Sequence, residues 1–123
     1  MNPWRDPPVL VGRHVTLRPL LPEHRDALAA AAAGLTDLFY ANVSNMADPD
    51  QFMAAAFKER DFGRSMPFVV ELPEGKIVGL TRYMRMNEAH RRVEAGGTFY
   101  AKSVQRTGVN TEAKLLLLRH AFE

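Results

Sequence analysis

Short apolar runs alternate with a polar turn near the start of the chain. Residues 9–11 and 15–18 are rich in β-branched and aliphatic side chains, and the turn-forming residues 12–14 separate them. This pattern predicts a short extended segment, a turn, and a strand that ends at Pro19.

Two helices are predicted next. Pro22 suits the first turn of a helix, and strong helix formers run from 23 to 33 until Gly34 provides a stop signal. Further along, Asp48 can cap a helix whose first residue is a proline and whose cap is followed three positions later by a glutamine. We expect this second helix to end near Arg60.

The second half of the chain alternates strands with turns before a final helix. Turn residues at 72–75 join two strand-like runs, which predicts a β-hairpin. Gly96 and Gly97 are unfavourable inside a strand unless the backbone bulges there or another group approaches closely. The order of elements indicates an α+β, or mixed α/β, fold. The elements predicted are strands over 66–71, 76–86 and 92–100, a polar loop over 102–110 and a helix over 111–123.

Composition and charge limit the classes of function. The chain has 123 residues, 46% of them hydrophobic and 24% charged, so one globular domain is expected. A net charge of +2 is too small to indicate a nucleic-acid-binding surface, despite the many arginines. The absence of cysteine excludes thiolate nucleophiles, disulfides and cysteine-rich zinc sites, and the four scattered histidines do not indicate a metal site. With no signal peptide or long apolar run, we expect a cytoplasmic protein that does not associate with membranes.

A polar loop before the last helix is the clearest candidate for binding chemistry. Backbone N–H groups at the start of a helix favour an anion, and phosphate is a natural ligand there. Gly108 permits close approach, Asn110 or Thr111 can cap the helix, and Arg106 adds positive charge. Glu112 suits the helix dipole but is unfavourable beside an anion. By spacing alone, an ordinary loop-to-helix connection remains the simpler interpretation.

Three segments together resemble the GNAT acetyltransferase superfamily. They are the strand 92–100, the loop 105–110 with its Gln-x-x-Gly pattern, and the helix start 111–114. The opening 12–20 and the helix that follows resemble the branch related to ribosomal-protein N-terminal acetyltransferases. The resemblance implies a central, mostly antiparallel sheet flanked by helices. It also implies that acetyl passes directly from acetyl-CoA to a primary amine, of a protein N-terminus or a small molecule, with no metal.

The resemblance also assigns roles to residues. Glu94 is the candidate catalytic base, acting through water on the ammonium of the acceptor; an exposed structural glutamate is the alternative. The backbone at the end of the strand is expected to pair with the pantetheine arm, and the loop and helix start to hold the pyrophosphate. The expected cofactor-binding residues are Phe99, Tyr100, Ala101, Gln105, Arg106, Thr107, Gly108, Val109, Asn110 and Thr111.

The last helix indicates that residues 1–123 form a single but incomplete domain of this kind. Four consecutive leucines, 115–118, sweep about 300° around a helix, so they favour neighbours on both sides. The resemblance implies further strands and helices after this helix. The chain is therefore expected to be an N-terminal portion of the fold.

Two questions stay open at this level. The chain is either an acetyltransferase or a catalytically silent fragment that acts as an acyl-CoA-binding or self-associating module, and a homodimer fits either. Arg82, Arg85, Arg91 and Arg92 gather around the hairpin and the next turn, where they either attract an acidic substrate or, as the default, are solvated strand ends.

Overall fold

A computed structural model describes residues 6–32, 49–100 and 108–122. These residues form one antiparallel sheet of five strands in the order β1 to β5, with helices packed against it. The α+β fold and the mostly antiparallel sheet are confirmed. The strands are β1 (Leu10–Val11), β2 (Thr16–Pro19), β3 (Met66–Glu71), β4 (Ile77–Asn87) and β5 (Arg92–Tyr100), and the helices are α1 (Arg25–Ala32), α2 (Pro49–Asp61) and α3 (Val109–Phe122).

The element boundaries follow the predicted ones closely, with two differences. The first helix begins as a 3-10 turn, Pro22–His24, before α1 proper. The Leu21 N–H donates to Nδ1 of His24 at 3.0 Å, so that histidine closes the turn. The last helix begins at Val109, two residues earlier than predicted, because the Val109 side chain is 7% exposed and belongs to the core.

The sheet has a different helical layer on each face. On one face, α1 and α2 cover a core that includes Leu28, Phe52, Val69 and Leu80. On the opposite face, α3 covers a second core of strand and helix side chains. That core contains Val15, Leu17, Met66, Phe68, Val70, Val78, Tyr83, Met86, Tyr100, Val109, Ala113 and Leu117. We call these two sides the α1/α2 face and the α3 face.

The pairing of β4 with β5 is interrupted by two bulges. Leu80 pairs with Phe99 and Arg82 pairs with Gly96, so Gly97 and Thr98 together lie opposite a single residue of β4. This is the bulge that the Gly96–Gly97 pair predicted. A second bulge in β4 follows Met84, where Arg85 has a φ of 52°. Each bulge shifts the alternation of side chains between the two faces by one residue, so residues on either side of it no longer follow simple odd–even alternation.

The leucine run of α3 is covered on one side by the described structure. Leu117 is fully buried and Leu116 is half-buried, whereas Leu115 and Leu118 are 50% and 49% exposed. Phe122, one turn further on, is 87% exposed. None of the described helices is long and apolar enough to cross a membrane.

Candidate active site

The start of α3 is the best-described part of the candidate pyrophosphate site. The Glu112 N–H donates to the Gly108 carbonyl oxygen at 3.0 Å. The N–H groups of Asn110 and Thr111 lie in the first turn of α3, before that bond, where a helix provides no acceptor of its own. Gly108, Asn110 and Thr111 are exposed, while the Val109 side chain packs into the core. The geometry therefore presents exposed polar backbone at this helix end.

Glu112 does not point its charge at this exposed turn. Its Oε1 accepts hydrogen bonds from the His14 N–H at 2.6 Å and from the Val15 N–H at 2.8 Å. Burial alone raises the pKa of the Glu112 carboxyl, but these backbone hydrogen bonds outweigh it and hold the pKa below 4.5. The Glu112 carboxylate, which would be unfavourable beside a bound anion, is thus hydrogen-bonded to the turn between β1 and β2.

Gly12 makes this contact possible. A Cβ atom at Gly12 would lie 2.8 Å from Cδ of Glu112 and 3.1 Å from Cδ1 of Leu116. Any larger residue would therefore displace the carboxylate from its two amide donors. The glycine serves close packing between the β1–β2 turn and the first half of α3.

Tyr83 fixes the other half of α3 to the sheet. Its hydroxyl donates to the carbonyl oxygen of Leu117, and its ring meets that of Phe68 edge-on at 6.0 Å. Burial raises the pKa of the Tyr83 phenol, so the hydroxyl stays protonated and remains a donor. Together, Glu112 and Tyr83 set the direction of the helix whose first turn forms the candidate site.

The end of β5 lies beside this helix. Phe99 pairs with Leu80, and Tyr100 pairs with Gly79 and is buried on the α3 face. Because β5 is the outer strand of the described sheet, its other edge faces away from β4. An extended ligand arm can pair with a strand edge through main-chain hydrogen bonds.

Glu94 lies near the opposite end of β5, on the α1/α2 face. It pairs with Met84, whose neighbour Tyr83 is on the α3 face, and successive strand residues alternate. Its side chain is 50% exposed, with Oε1 3.6 Å from Nη1 of Arg85. At about 3.3 Å per residue, roughly 20 Å of strand separate Glu94 from Tyr100. A base at Glu94 can thus serve the α3 start only through a long-armed ligand.

Several expected site residues cannot be compared with this geometry. Ala101, Gln105, Arg106 and Thr107 lie outside the described residues, and their roles remain predictions. In the part of the chain that is described, no group of three or more histidines, cysteines or carboxylates could hold a metal ion.

One of the clustered arginines differs from the default expectation. Arg85, Arg91 and Arg92 are exposed, but Arg82 is half-buried, and its Nε is fully buried with no hydrogen-bond partner among the described residues. The solvated interpretation is therefore wrong for Arg82. A signal was present in the sequence, because Arg82 follows the core residue Leu80 by two positions and alternate strand residues share a face.

A shallow groove of about 230 Å³ lies elsewhere, between β1 and the end of α3. It is lined by Val9, Leu10, Val11, Leu116, Arg119 and His120, and it contains none of the candidate site residues.

Comparison with solved structures supports this architecture. The chain is similar to a protein described as a probable acetyltransferase of the GNAT family from Chromobacterium violaceum (27% identity, TM-score 0.76, 93% of this chain and 59% of that one). It is also similar to a GCN5-related N-acetyltransferase from Brucella melitensis (25%, 0.74, 98% and 57%). RimJ of Mycobacterium smegmatis, solved in complex with CoA-disulfide, shares the fold (24%, 0.71, 97% and 63%).

The chain therefore spans less than two thirds of the length of these proteins. A search of curated proteins gave no match. The family model described as "Acetyltransferase (GNAT) domain" matches residues 14–123, which include every described strand except β1 and all three helices. The chain belongs to the GNAT acetyltransferase family.

Proposed function

We propose that this domain transfers an acetyl group from acetyl-CoA to a primary amine. Family membership over residues 14–123 is the observation that carries the proposal. The start of α3 supports it, because its exposed polar backbone is held in place by Glu112 and Tyr83. RimJ, which shares the fold, was solved with CoA-disulfide. A cytoplasmic location is part of the proposal.

The two ends of β5 have different roles in the proposal, cofactor binding at one end and proton removal at the other. The backbone of residues 106–111 binds the pyrophosphate, and the edge of β5 near Phe99 and Tyr100 pairs with the pantetheine arm. In direct transfer, the amine nitrogen bonds to the acetyl carbon while the carbon–sulfur bond breaks and the thiolate takes up a proton. Glu94 removes the proton from the acceptor ammonium through water. No serine or cysteine nucleophile is needed, in keeping with a chain that contains no cysteine.

Gly108 offers a direct test of the pyrophosphate site. No atom of the described residues lies within 4 Å of the position that a Cβ would take there, so Gly108→Val should leave the fold intact. The valine would occupy space in front of the first turn of α3, and we expect it to weaken CoA binding about tenfold or more, since charge-assisted hydrogen bonds are lost. Isothermal titration with CoA measures this effect. Ala121→Val, at the exposed far end of α3, is the matched control and should leave affinity unchanged.

A variant of Glu94 separates catalysis from CoA binding. If the chain binds CoA and acetylates amines, Glu94→Gln should slow turnover and leave CoA affinity unchanged. Equal turnover in that variant would remove Glu94 from the base role. A folded chain that fails to bind CoA at millimolar concentration would contradict the whole proposal.

A self-associating or acyl-CoA-binding module without catalysis is the second candidate. The exposed Leu115, Leu118 and Phe122 side chains of α3 favour it, since contiguous apolar surface promotes association. CoA binding without turnover, together with a sedimentation coefficient that rises with protein concentration, would select this function. A homodimer is one form that such association can take.

A further inference from the structure

Arg82 is a partly desolvated cation on β4. Its Nε is buried and has no acceptor among the described residues. Burial lowers the pKa of the guanidinium, and the nearby Glu59 carboxylate offsets this only in part. A buried donor without an acceptor is unfavourable by the full desolvation of that group. Such a group is rare in a folded protein, and a ligand, an ion or an ordered water supplies the missing acceptor.

The carboxylates near Arg82 already have other partners. Glu59 forms an ion pair with Arg64, with Oε2 and Nε 3.1 Å apart. Glu94 lies 3.6 Å from the guanidinium of Arg85. The protein thus offers each of these two carboxylates a different arginine and leaves the Nε of Arg82 without an acceptor in the described part of the chain.

The strand register places Arg82 next to the candidate base. Arg82 pairs with Gly96, and Met84 pairs with Glu94, so all four residues project from the α1/α2 face. Arg82 and Glu94 are diagonal neighbours about 7–8 Å apart, with their Cβ atoms somewhat closer. Gly96 contributes no side chain between them; Sδ of Met84 lies 2.9 Å from where its Cβ would be. A cation and a candidate proton acceptor therefore face the same small region of the sheet.

We propose that Arg82 binds an anionic group, a carboxylate or a phosphate, on the acceptor amine. This inference rests on the proposed function, because it takes Glu94 to mark the acceptor side of the site. The guanidinium presents planar, fixed N–H donors that match carboxylate and phosphate oxygens. The acceptor class is then an amine that carries an anion several bonds from its nitrogen. Purely cationic polyamines are poor substrates, because the Arg82 charge repels them.

Nuclear magnetic resonance of the Arg82 Nε–H group tests the contact directly in the 123-residue chain. The probes are 4-aminobutyrate and its uncharged amide, titrated at constant ionic strength; phosphoethanolamine and ethanolamine form the phosphate arm. We expect the Nε–H signal to shift with the anionic member of a pair and not with the neutral one. A response in one arm only identifies which anion is recognised. Equal responses to the charged and neutral members in both arms would overturn the proposal.

Variants distinguish binding from a structural role. Arg82→Gln should raise the Kd for the anionic probe about tenfold or more, as expected for a lost charge-assisted hydrogen bond. Arg92→Gln removes the same charge from an exposed position on β5 and should leave that Kd unchanged. Equal losses in both variants would reduce the effect to general electrostatics and contradict a specific site.

Stability gives a second, independent readout. Arg82→Met replaces a half-buried cation, whose Nε has no acceptor among the described residues, with an apolar side chain, so a residue kept for binding predicts a higher Tm in the variant. A lower Tm would identify Arg82 as structural and overturn the proposal.

CoA titration distinguishes this inference from the proposed function. CoA binding with no anion response refutes the role of Arg82 alone, whereas an anion response without CoA binding refutes the acetyltransferase function.

Discussion

The contact between Glu112 and the β1–β2 turn makes a quantitative prediction about how α3 is held. Its carboxylate joins residues 98 positions apart, through the amides of His14 and Val15. A hydrogen bond to a charged group contributes about 1.5–3 kcal/mol. The His14 amide is exposed and can bind water instead, whereas the Val15 amide is partly buried and cannot do so fully. We therefore expect Glu112→Ala to lower the free energy of unfolding by about 1–3 kcal/mol.

Chemical denaturation monitored by circular dichroism measures this loss. For a domain of this size, each kcal/mol corresponds to a Tm change of about 3–5 °C, so thermal unfolding provides a second measure. Glu74→Ala, in the exposed turn between β3 and β4, removes an equal charge and should change stability by less than about 0.5 kcal/mol. A Glu112→Ala variant as stable as this control would refute the assignment of Glu112 as the anchor of α3.

The effect should depend on pH with a definite sign. The folded protein holds the Glu112 pKa below its ordinary value of 4.5. The stabilisation is then fully present above that ordinary value and is lost as the pH falls through the folded pKa. The difference in stability between wild type and Glu112→Ala should therefore shrink on acidification below about pH 4.5. A difference that stays constant between neutral and acidic pH would contradict the carboxylate's role.

A double-mutant cycle with Gly12 completes the test. Gly12→Ala would push the carboxylate away from its donors, so it should destabilise the fold by about the same 1–3 kcal/mol. Because both changes break one contact, the double variant should lose much less than the sum of the two single losses. Simple additivity would show that Gly12 and Glu112 act separately.

Two further changes probe how α3 is seated on the sheet. Tyr83→Phe removes the hydroxyl that donates to Leu117, and denaturation should show a loss of about 0.5–1.5 kcal/mol; no loss would mean that the hydrogen bond adds nothing to stability. Leu117→Ala should destabilise the fold by about 2–5 kcal/mol because Leu117 is fully buried. Leu118→Ala, at a site 49% exposed, should change the free energy of unfolding by no more than about 0.5 kcal/mol. Similar losses in the two variants would contradict the orientation of the helix.

The strands and helices were predictable where a local pattern determined them. β5 has the predicted bounds of Arg92–Tyr100, and the Gly96–Gly97 pair marked its bulge correctly. The start of α3 was misplaced because the polar residues Asn110 and Thr111 look like caps in sequence. Burial of Val109 against the sheet outweighs that local preference, and it becomes visible only when the tertiary contacts are known.

The candidate site was predictable only in part. Its backbone groups follow from the loop-to-helix pattern and the family resemblance, but the partner of Glu112 does not, because no local rule connects residues 98 positions apart. Arg82 was misassigned since its sequence neighbours are exposed arginines. The alternation with Leu80 was the better guide, because the face of a strand residue is set by parity rather than by chemical type.

The bulge at Gly97 and Thr98 has a consequence for how the length of this strand can vary. In a regular strand Glu94 and Tyr100 would share a face, because six positions separate them. The bulge places two residues of β5 opposite one of β4, so Glu94 lies on the α1/α2 face and Tyr100 on the α3 face. The number of residues between them therefore determines whether the two side chains lie on the same face or on opposite faces. Deleting one residue at the bulge would leave five positions between them and restore regular pairing with both side chains on their present sides, whereas deleting two would bring one of them to the wrong side of the sheet. Removal of one residue from the bulge should therefore be far less damaging than removal of two.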